Sequence, residues 1–308
     1  MINFMILSFD IRQIMTTISP SLHDHFIHLP SALEEVIAHA LTPGGGFGIT
    51  GIPTGFTDLD RMTGGLHPGQ LIVVGTRPSV GGTTFVTNIG AHIAIECNLP
   101  VAYFSMDNPS FLLVQNMLCS TGRINRYRFR TGQLNDEEKR QMTERQHKMQ
   151  NAPLFIDDTP RLTIDDLCQR AHSIKEQTNL GLVIIDTLQL IQMESPNEGN
   201  KSRAQISARL SLLSKELDCP VIVTSQVNRA VERRKDKRPQ LLDLPAAERI
   251  EQYADLVLFL YRDEIYDPDS PDTGLAEVII SRQTKIGPTG TLMLRFNNQC
   301  VRFEDYRS

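Results

Sequence analysis

Paired cysteines, a membrane-length apolar run and an excess of positive charge are all missing from this 308-residue chain. Its five cysteines, Cys97, Cys119, Cys168, Cys219 and Cys300, are widely spaced, odd in number and form no CxxC pair. That pattern excludes a disulfide framework and a zinc site, and it fits the reducing cytoplasm. The apolar opening from Met1 to Phe9 has no basic flank and meets Asp10 too soon to be a membrane span or a secretory signal. Met15 is an alternative start. Lys+Arg number 31 against Asp+Glu 36, a net charge of −5. The field of the whole molecule therefore attracts neither nucleic acid nor an anionic membrane, and any such binding needs a local basic patch. Lysine is absent before Lys139. What is present is ordinary globular composition, 40% hydrophobic and 22% charged, which excludes a disordered chain and supports a sizeable core.

Residues 1–30 carry no clear period and read as a poorly specified tail. From Ser31 the apolar positions 33, 36, 37, 40 and 41 share one helical face, with Ser31 as N-cap and Glu34 completing a capping box. This helix ends at the Gly-rich joint Pro43-Gly-Gly-Gly46, so 31–48 reads as a linker whose apolar stripe needs a partner surface. Residues 49–308 alternate continuous apolar runs with helical stretches, the pattern of an α/β domain with a mostly parallel sheet flanked by helices. The runs are 71–75, 101–105, 154–156, 182–186, 221–225 and 256–260. Two more, 276–281 and 292–296, flank Gly287-Pro-Thr-Gly290 and predict a C-terminal antiparallel hairpin.

Between the first run and the helix after it lies Thr76-Arg-Pro-Ser-Val-Gly-Gly-Thr-Thr84, in the position of a nucleotide-binding P-loop. A P-loop reads GxxxxGK[ST]: backbone N–H groups cradle phosphates, the lysine reaches the β- and γ-phosphates, and the hydroxyl binds Mg²⁺. Gly81 and Thr83 match, whereas Gly82 stands at the lysine position and Thr76 at the opening glycine. Taken alone, the loop reads more readily as an ordinary tight strand-to-helix turn. Three strand ends add to it. Asp186 closes an apolar strand as a Walker B carboxylate does, Asp107 follows the next strand where a water-activating base would sit, and Gln226 ends another where it could sense a γ-phosphate.

The order of these motifs resembles the C-terminal RecA-like P-loop NTPase domain of the DnaB family of replicative DNA helicases. The resemblance covers residues from about 49 to 306. It rests on Gly51-Ile-Pro-Thr-Gly-Phe-Thr-Asp-Leu-Asp60, Gly64-Gly-Leu-His-Pro-Gly69, Arg77-Pro-Ser79, Phe104-Ser105, Ile185-Asp186 with Leu188-Gln-Leu190, Ser225-Gln-Val-Asn-Arg229, Ile250-Glu-Gln-Tyr-Ala-Asp255, Tyr261-Arg-Asp-Glu264 and Gly287-Pro-Thr-Gly290. It implies an ATP and Mg²⁺ site made by Arg77, Pro78, Ser79, Gly81, Gly82, Thr83 and Thr84, with the metal at Thr83 and Asp186. It further implies Asp107 as base, Gln226 as sensor and Lys285 as a basic finger offered to a neighbouring subunit. The expected partners are single-stranded DNA and a homo-hexamer, or a mixed ring with another helicase. The helix at 31–41 then resembles the linker helix that docks on a neighbour, and the family's N-terminal helical domain is expected to be absent.

Five departures fall on positions with chemical duties in the family. Gly82 removes the lysine charge that a phosphoryl-transfer state uses, commonly several kcal/mol. Asp107 replaces a Glu, and a displacement of roughly one ångström can cost about a hundredfold in rate. Pro245-Ala-Ala-Glu248 replaces an Arg-Glu-Ser-Gly turn that grips DNA, removing an arginine and adding an acid. The segment Asn200-Lys-Ser-Arg-Ala-Gln205 reads about two residues shorter than the family's first DNA loop, and Lys285 replaces an arginine in a segment, Arg282 to Pro288, that is one residue longer than the family's. The basic cluster Arg229, Arg233, Arg234, Lys235, Lys237 and Arg238 is a candidate DNA contact, or else a solvated loop. A second patch, Arg123, Arg126, Arg128 and Arg130, reads as a solvated face. The expectation is a DnaB-like helicase homologue that is weak or inactive as a motor. The alternative is a non-catalytic accessory or inhibitory subunit that binds a true helicase or DNA.

Overall fold

The computed structural model describes residues 29, 30, 33, 34, 37, 49–193, 200–284 and 287–306. The chain forms two compact units, residues 1–48 and 49–308. In the first, the described residues are helical and exposed, and the helix is already under way at Leu29 and Pro30. The expected N-cap Ser31 lies outside the described residues with most of the tail and joint.

The second unit runs α1 (Thr57–Thr63), β1 (Leu71–Thr76), α2 (Gly82–Ile95), β2 (Val101–Ser105), α3 (Ser110–Gly122), α4 (Arg126–Thr131), α5 (Asp136–Met149), β3 (Leu154–Asp157), α6 (Ile164–Gln177), β4 (Leu182–Asp186), α7 (Asn200–Glu216), β5 (Val221–Gln226), α8 (Ile250–Tyr253), β6 (Leu256–Tyr261), β7 (Leu275–Gln283), β8 (Gly290–Asn297) and β9 (Arg302–Asp305). One sheet has the order β3-β2-β4-β5-β1-β6-β7-β8-β9. The first six strands in that order pair in parallel, and β6 through β9 pair antiparallel. All six expected parallel strands and the expected hairpin form. The ninth strand extends that hairpin and was not expected.

The parallel strands are continuous apolar runs because both sheet faces are covered. Ile72 and Val74 of β1, with Tyr103, Ile184 and Ile222, meet Phe85, Ile89 and Ile93 of α2 on one face. Leu71, Val73, Val183 and Val223 join Leu167 of α6 and Leu210 and Leu213 of α7 on the other. Each such side chain, fully buried, contributes about 1.5–3 kcal/mol. The two slabs clamp the sheet so that the carboxyl ends of β1, β2, β4 and β5 form one rigid edge. Parallel register sets Thr76 beside Gln226 and Ser105 beside Asp186 along that edge.

Candidate functional site

Arg77, Pro78, Ser79, Gly81, Gly82, Thr83, Thr84, Asp107, Asp186 and Gln226, far apart in sequence, line one cavity of ≈ 520 Å³. Lys285 lies outside the described residues, and no residue of the 229–238 basic cluster lines the cavity. Thr76 and Ser225, both noted in the sequence, line it too, and so do Arg126, Thr187, Thr224, Arg262, Ile265, Phe296, Asn298 and Val301, which were not anticipated as site residues. For Thr187 and Thr224 the signal was their place at a strand end. For the others the sequence carries no local signal, since the helix start at Arg126, strand β8 with Phe296 and the turns around them reach the cavity only through the fold.

The phosphate loop turns sharply. Ser79 has φ 69° and Gly81 φ 111°, and helix α2 begins at Gly82 directly after this left-handed residue. The α2 N-terminus thus presents its unpaired N–H groups at the cavity, the arrangement that favours an anion. Gly81 packs over β9: a Cβ there would lie 3.0 Å from Phe303. Phe303 in turn packs edge-on against Phe85 of α2 at 5.7 Å, so the unexpected ninth strand supports the loop from beneath.

Gly82 is constrained by the other departure in the same loop. A Cβ at residue 82 would lie 2.3 Å from Thr76 Cγ2. The methyl of Thr76, at the position where the P-loop pattern has glycine, therefore occupies the space in which a lysine stem at 82 would start. Two departures that look independent in sequence are therefore neighbours in the fold. Thr76 is fixed by its own Oγ1, which donates to the Arg77 carbonyl at 2.7 Å.

Asp186 is 3% exposed. Its Oδ1 accepts from Thr224 Oγ1 at 2.5 Å, while its Oδ2 is buried without a partner. Burial raises its pKa above the usual carboxylate range, opposed by the hydroxyls of Thr224, Thr83 and Tyr103. A buried, unpartnered carboxylate oxygen facing a threonine hydroxyl is the donor set that a Mg²⁺ shell completes with phosphate and water. No group of three or more His, Cys, Asp or Glu that could hold a metal ion by itself occurs among the described residues. Asp107 is exposed at the cavity rim.

Gln189 ties the strand ends together. Its Oε1 accepts from Thr187 Oγ1 at 2.9 Å and from the Gln226 backbone N at 3.0 Å. Its Nε2 donates to Ser225 Oγ at 3.1 Å and to Glu248 Oε2 at 3.0 Å. Glu248 was expected as an added surface acid that repels phosphate. It is instead 4% exposed and turned inward. Burial pushes its pKa up to about 7, with Arg203 and the Gln189 hydrogen bond opposing.

The basic cluster is largely self-satisfied. Arg234 makes a two-pronged pair with Asp243 at 3.1 and 2.8 Å. Arg238 does the same with Glu277 at 2.8 and 2.6 Å and stacks 5.0 Å over Tyr261. Lys237 sits 5.4 Å from the Tyr266 ring centroid, and Arg229 faces Glu232 at 3.4 Å. Arg233 and Lys235 remain exposed without a described partner.

A glycine-turned helix start, a buried carboxylate and a second carboxylate at the open edge of a parallel sheet are arranged as in one class of protein, the RecA-like P-loop NTPase fold. One solved ATPase domain superposes with a TM-score of 0.86 at 29% identity, covering 91% of this chain and 99% of that one. A DnaB-like replicative helicase, solved in a study of its interactions with primase, superposes with a TM-score of 0.83 at 30% identity, covering 92% of this chain and 68% of that one. Residues 51–305 match the DnaB-like helicase C terminal domain, and the chain belongs to that family. It is 43% identical over 257 residues to the replicative DNA helicase DnaB of Geobacillus stearothermophilus, across 83% of this chain and 56% of that protein. It is 41% identical to the replicative DNA helicase DnaC of Bacillus subtilis over the same shares. The chain thus spans little more than half the length of these relatives. Among the described residues no helix is long and apolar enough to cross a membrane.

Proposed function

We propose that the chain is a DnaB-like helicase subunit that binds ATP with Mg²⁺ but turns it over slowly, in a homo-hexamer or in a mixed ring with another helicase. The observation that carries this reading is the Thr76 methyl seated where a lysine stem at Gly82 would begin. The loop is repacked around the missing lysine, with the rest of the phosphate cradle intact.

In this reading the N–H groups from Gly81 to Thr84 hold the phosphates. The Thr83 hydroxyl and the free Oδ2 of Asp186 would hold the ion, which when bound spreads the triphosphate charge. Asp107 takes the proton of the attacking water, and Gln226, oriented through its backbone bond to Gln189, contacts the terminal phosphate. Lys285 offers its charge to the neighbour's nucleotide. With no lysine at 82 the developing charge in the transition state loses a fixed partner, so binding persists better than turnover. The test is equilibrium binding of Mg²⁺-ATP beside its hydrolysis, with and without single-stranded DNA. The reading expects saturable binding with little DNA-stimulated turnover, and fails if no nucleotide binds or if turnover is that of an intact motor.

The ion-paired basic loop favours a second reading, an accessory or inhibitory subunit with a weak hold on single-stranded DNA, because Arg234 and Arg238 would have to leave carboxylates to reach phosphates. Adding the chain to an active relative and measuring unwinding separates the two: a change in the relative's rate at sub-stoichiometric amounts supports the accessory role.

A further inference from the structure

Three arginines line the phosphate cavity, and their partners divide them. Arg77 donates twice to Glu232, at 2.9 and 2.7 Å, and once to the Val227 carbonyl at 2.8 Å. Arg262 pairs with Glu264, donates to the Val80 carbonyl at 3.3 Å and stacks 3.8 Å from the centroid of Phe296. Both charges are already answered by protein. Arg126 lines the same cavity, yet its guanidinium has no hydrogen bond or ion pair among the described residues.

Arg126 is also held in place. Its backbone N donates to the Gln299 carbonyl at 2.8 Å. The preceding residue, Asn125, caps α4 by accepting from Tyr127 and Arg128 N–H at 3.0 and 3.1 Å, and its own N–H donates to Glu138 at 3.3 Å. Of the neighbouring arginines in the patch, Arg123 pairs with Glu304 at 2.8 Å and Arg128 with Glu138 at 3.5 Å, while Arg130 does not line the cavity. An unpaired guanidinium on a pinned backbone, facing a cavity with a free helix start and two carboxylates, is an incomplete charge arrangement that a polyphosphate completes.

We propose that Arg126 is a phosphate-binding residue of this site, supplying from outside the phosphate loop the positive charge that Gly82 does not. This rests on the nucleotide-binding reading above. The ligand class is a nucleoside di- or triphosphate, because a monophosphate satisfied at the α2 N-terminus leaves nothing for a second cation to hold. The arginine restores affinity for the ground-state phosphates without restoring a lysine at the reacting oxygens.

The experiment is titration of the full chain and of Arg126→Ala, Arg126→Gln and Arg126→Lys with Mg²⁺-ATP, Mg²⁺-ADP and AMP, with melting curves to confirm that each variant is folded. Loss of a charge-assisted contact predicts about 10- to 100-fold weaker ATP and ADP binding in the Ala and Gln variants, AMP nearly unchanged, and partial recovery with Lys. If the unaltered chain binds nucleotide and Arg126→Ala binds ATP equally well, this proposal fails while the nucleotide-binding reading stands. Equal weakening for AMP and ATP also overturns it, since that marks a contact to base or sugar. If the unaltered chain binds no nucleotide, the wider reading fails and takes this one with it.

Discussion

Two regions rich in arginine behave in opposite ways. The loop from Arg229 to Arg238 looks in sequence like a surface for a polyanion, but its best-placed arginines are committed to Asp243 and Glu277. The cavity at the strand ends looks poor in cations, with glycine at the P-loop lysine position, yet it holds an arginine with no hydrogen bond or ion pair among the described residues. The difference teaches that the number of cations in a segment says little about how many are available. Availability is decided by carboxylates brought in by the fold, in these cases from turn and strand positions 9 and 39 residues away.

Breaking this contrast begins with the largest expected effect. Gly82→Lys alone forces its Cβ against Thr76 Cγ2, and overpacking of this kind costs about 1–3 kcal/mol. Thermal melting is expected to show that loss for the single variant and its recovery in Thr76→Gly/Gly82→Lys, where the stem has room. A single variant as stable as the unaltered chain would mean that the two positions are not coupled.

Glu248 gives an effect of similar or somewhat smaller size with a defined pH window. Its folded pKa of about 7 lies above the ordinary 4.5, so between those values the folded state holds more protons than the unfolded one. Its contribution to stability is present in full below about pH 4.5 and is lost as pH rises through about 7. Glu248→Gln keeps an acceptor for Gln189 and removes the charge. Denaturant unfolding at pH 8 is expected to find it more stable than the unaltered chain by roughly 1–3 kcal/mol, with the advantage vanishing near pH 4. A constant difference at both pH values contradicts the assignment.

Within the basic loop the expected effects are smaller and divide by pairing. Arg234→Ala and Arg238→Ala each remove a half-exposed ion pair and lower stability by about 1 kcal/mol. Arg233→Ala and Lys235→Ala leave stability within about 0.5 kcal/mol, yet each lowers the salt slope of single-stranded DNA binding by roughly 0.7 if the loop touches phosphate. Equal effects of the paired and unpaired groups on DNA binding would erase the distinction.

Most of the fold was legible because buried parallel strands are long apolar runs, and the strand-end motifs fell between them at recognisable spacing. The ninth strand escaped because Arg302–Asp305 is four residues long and sends only Phe303 fully inward. The site was legible as a set of positions and illegible as a set of contacts. Nothing local in Thr76 announces that its methyl fills the space of a lysine stem at 82. Glu248 read only as an acid added at a DNA-gripping turn because the Gln189 that meets it inside the fold lies 59 positions earlier. Arg126 read as one charge on a solvated patch because the turn around Gln299 that sets it against the cavity arrives from the far end of the domain.

On the function proposed above, this cavity holds nucleotide but turns it over slowly, because a lysine at 82 and the space for its stem are both absent. That claim is tested most directly by Mg²⁺-ATP turnover, at saturating nucleotide with single-stranded DNA, for the unaltered chain beside Thr76→Gly/Gly82→Lys. The account predicts that the unaltered chain binds ATP and hydrolyses it at about one hundredth of the double variant's rate or less. Equal turnover in the two chains would contradict it.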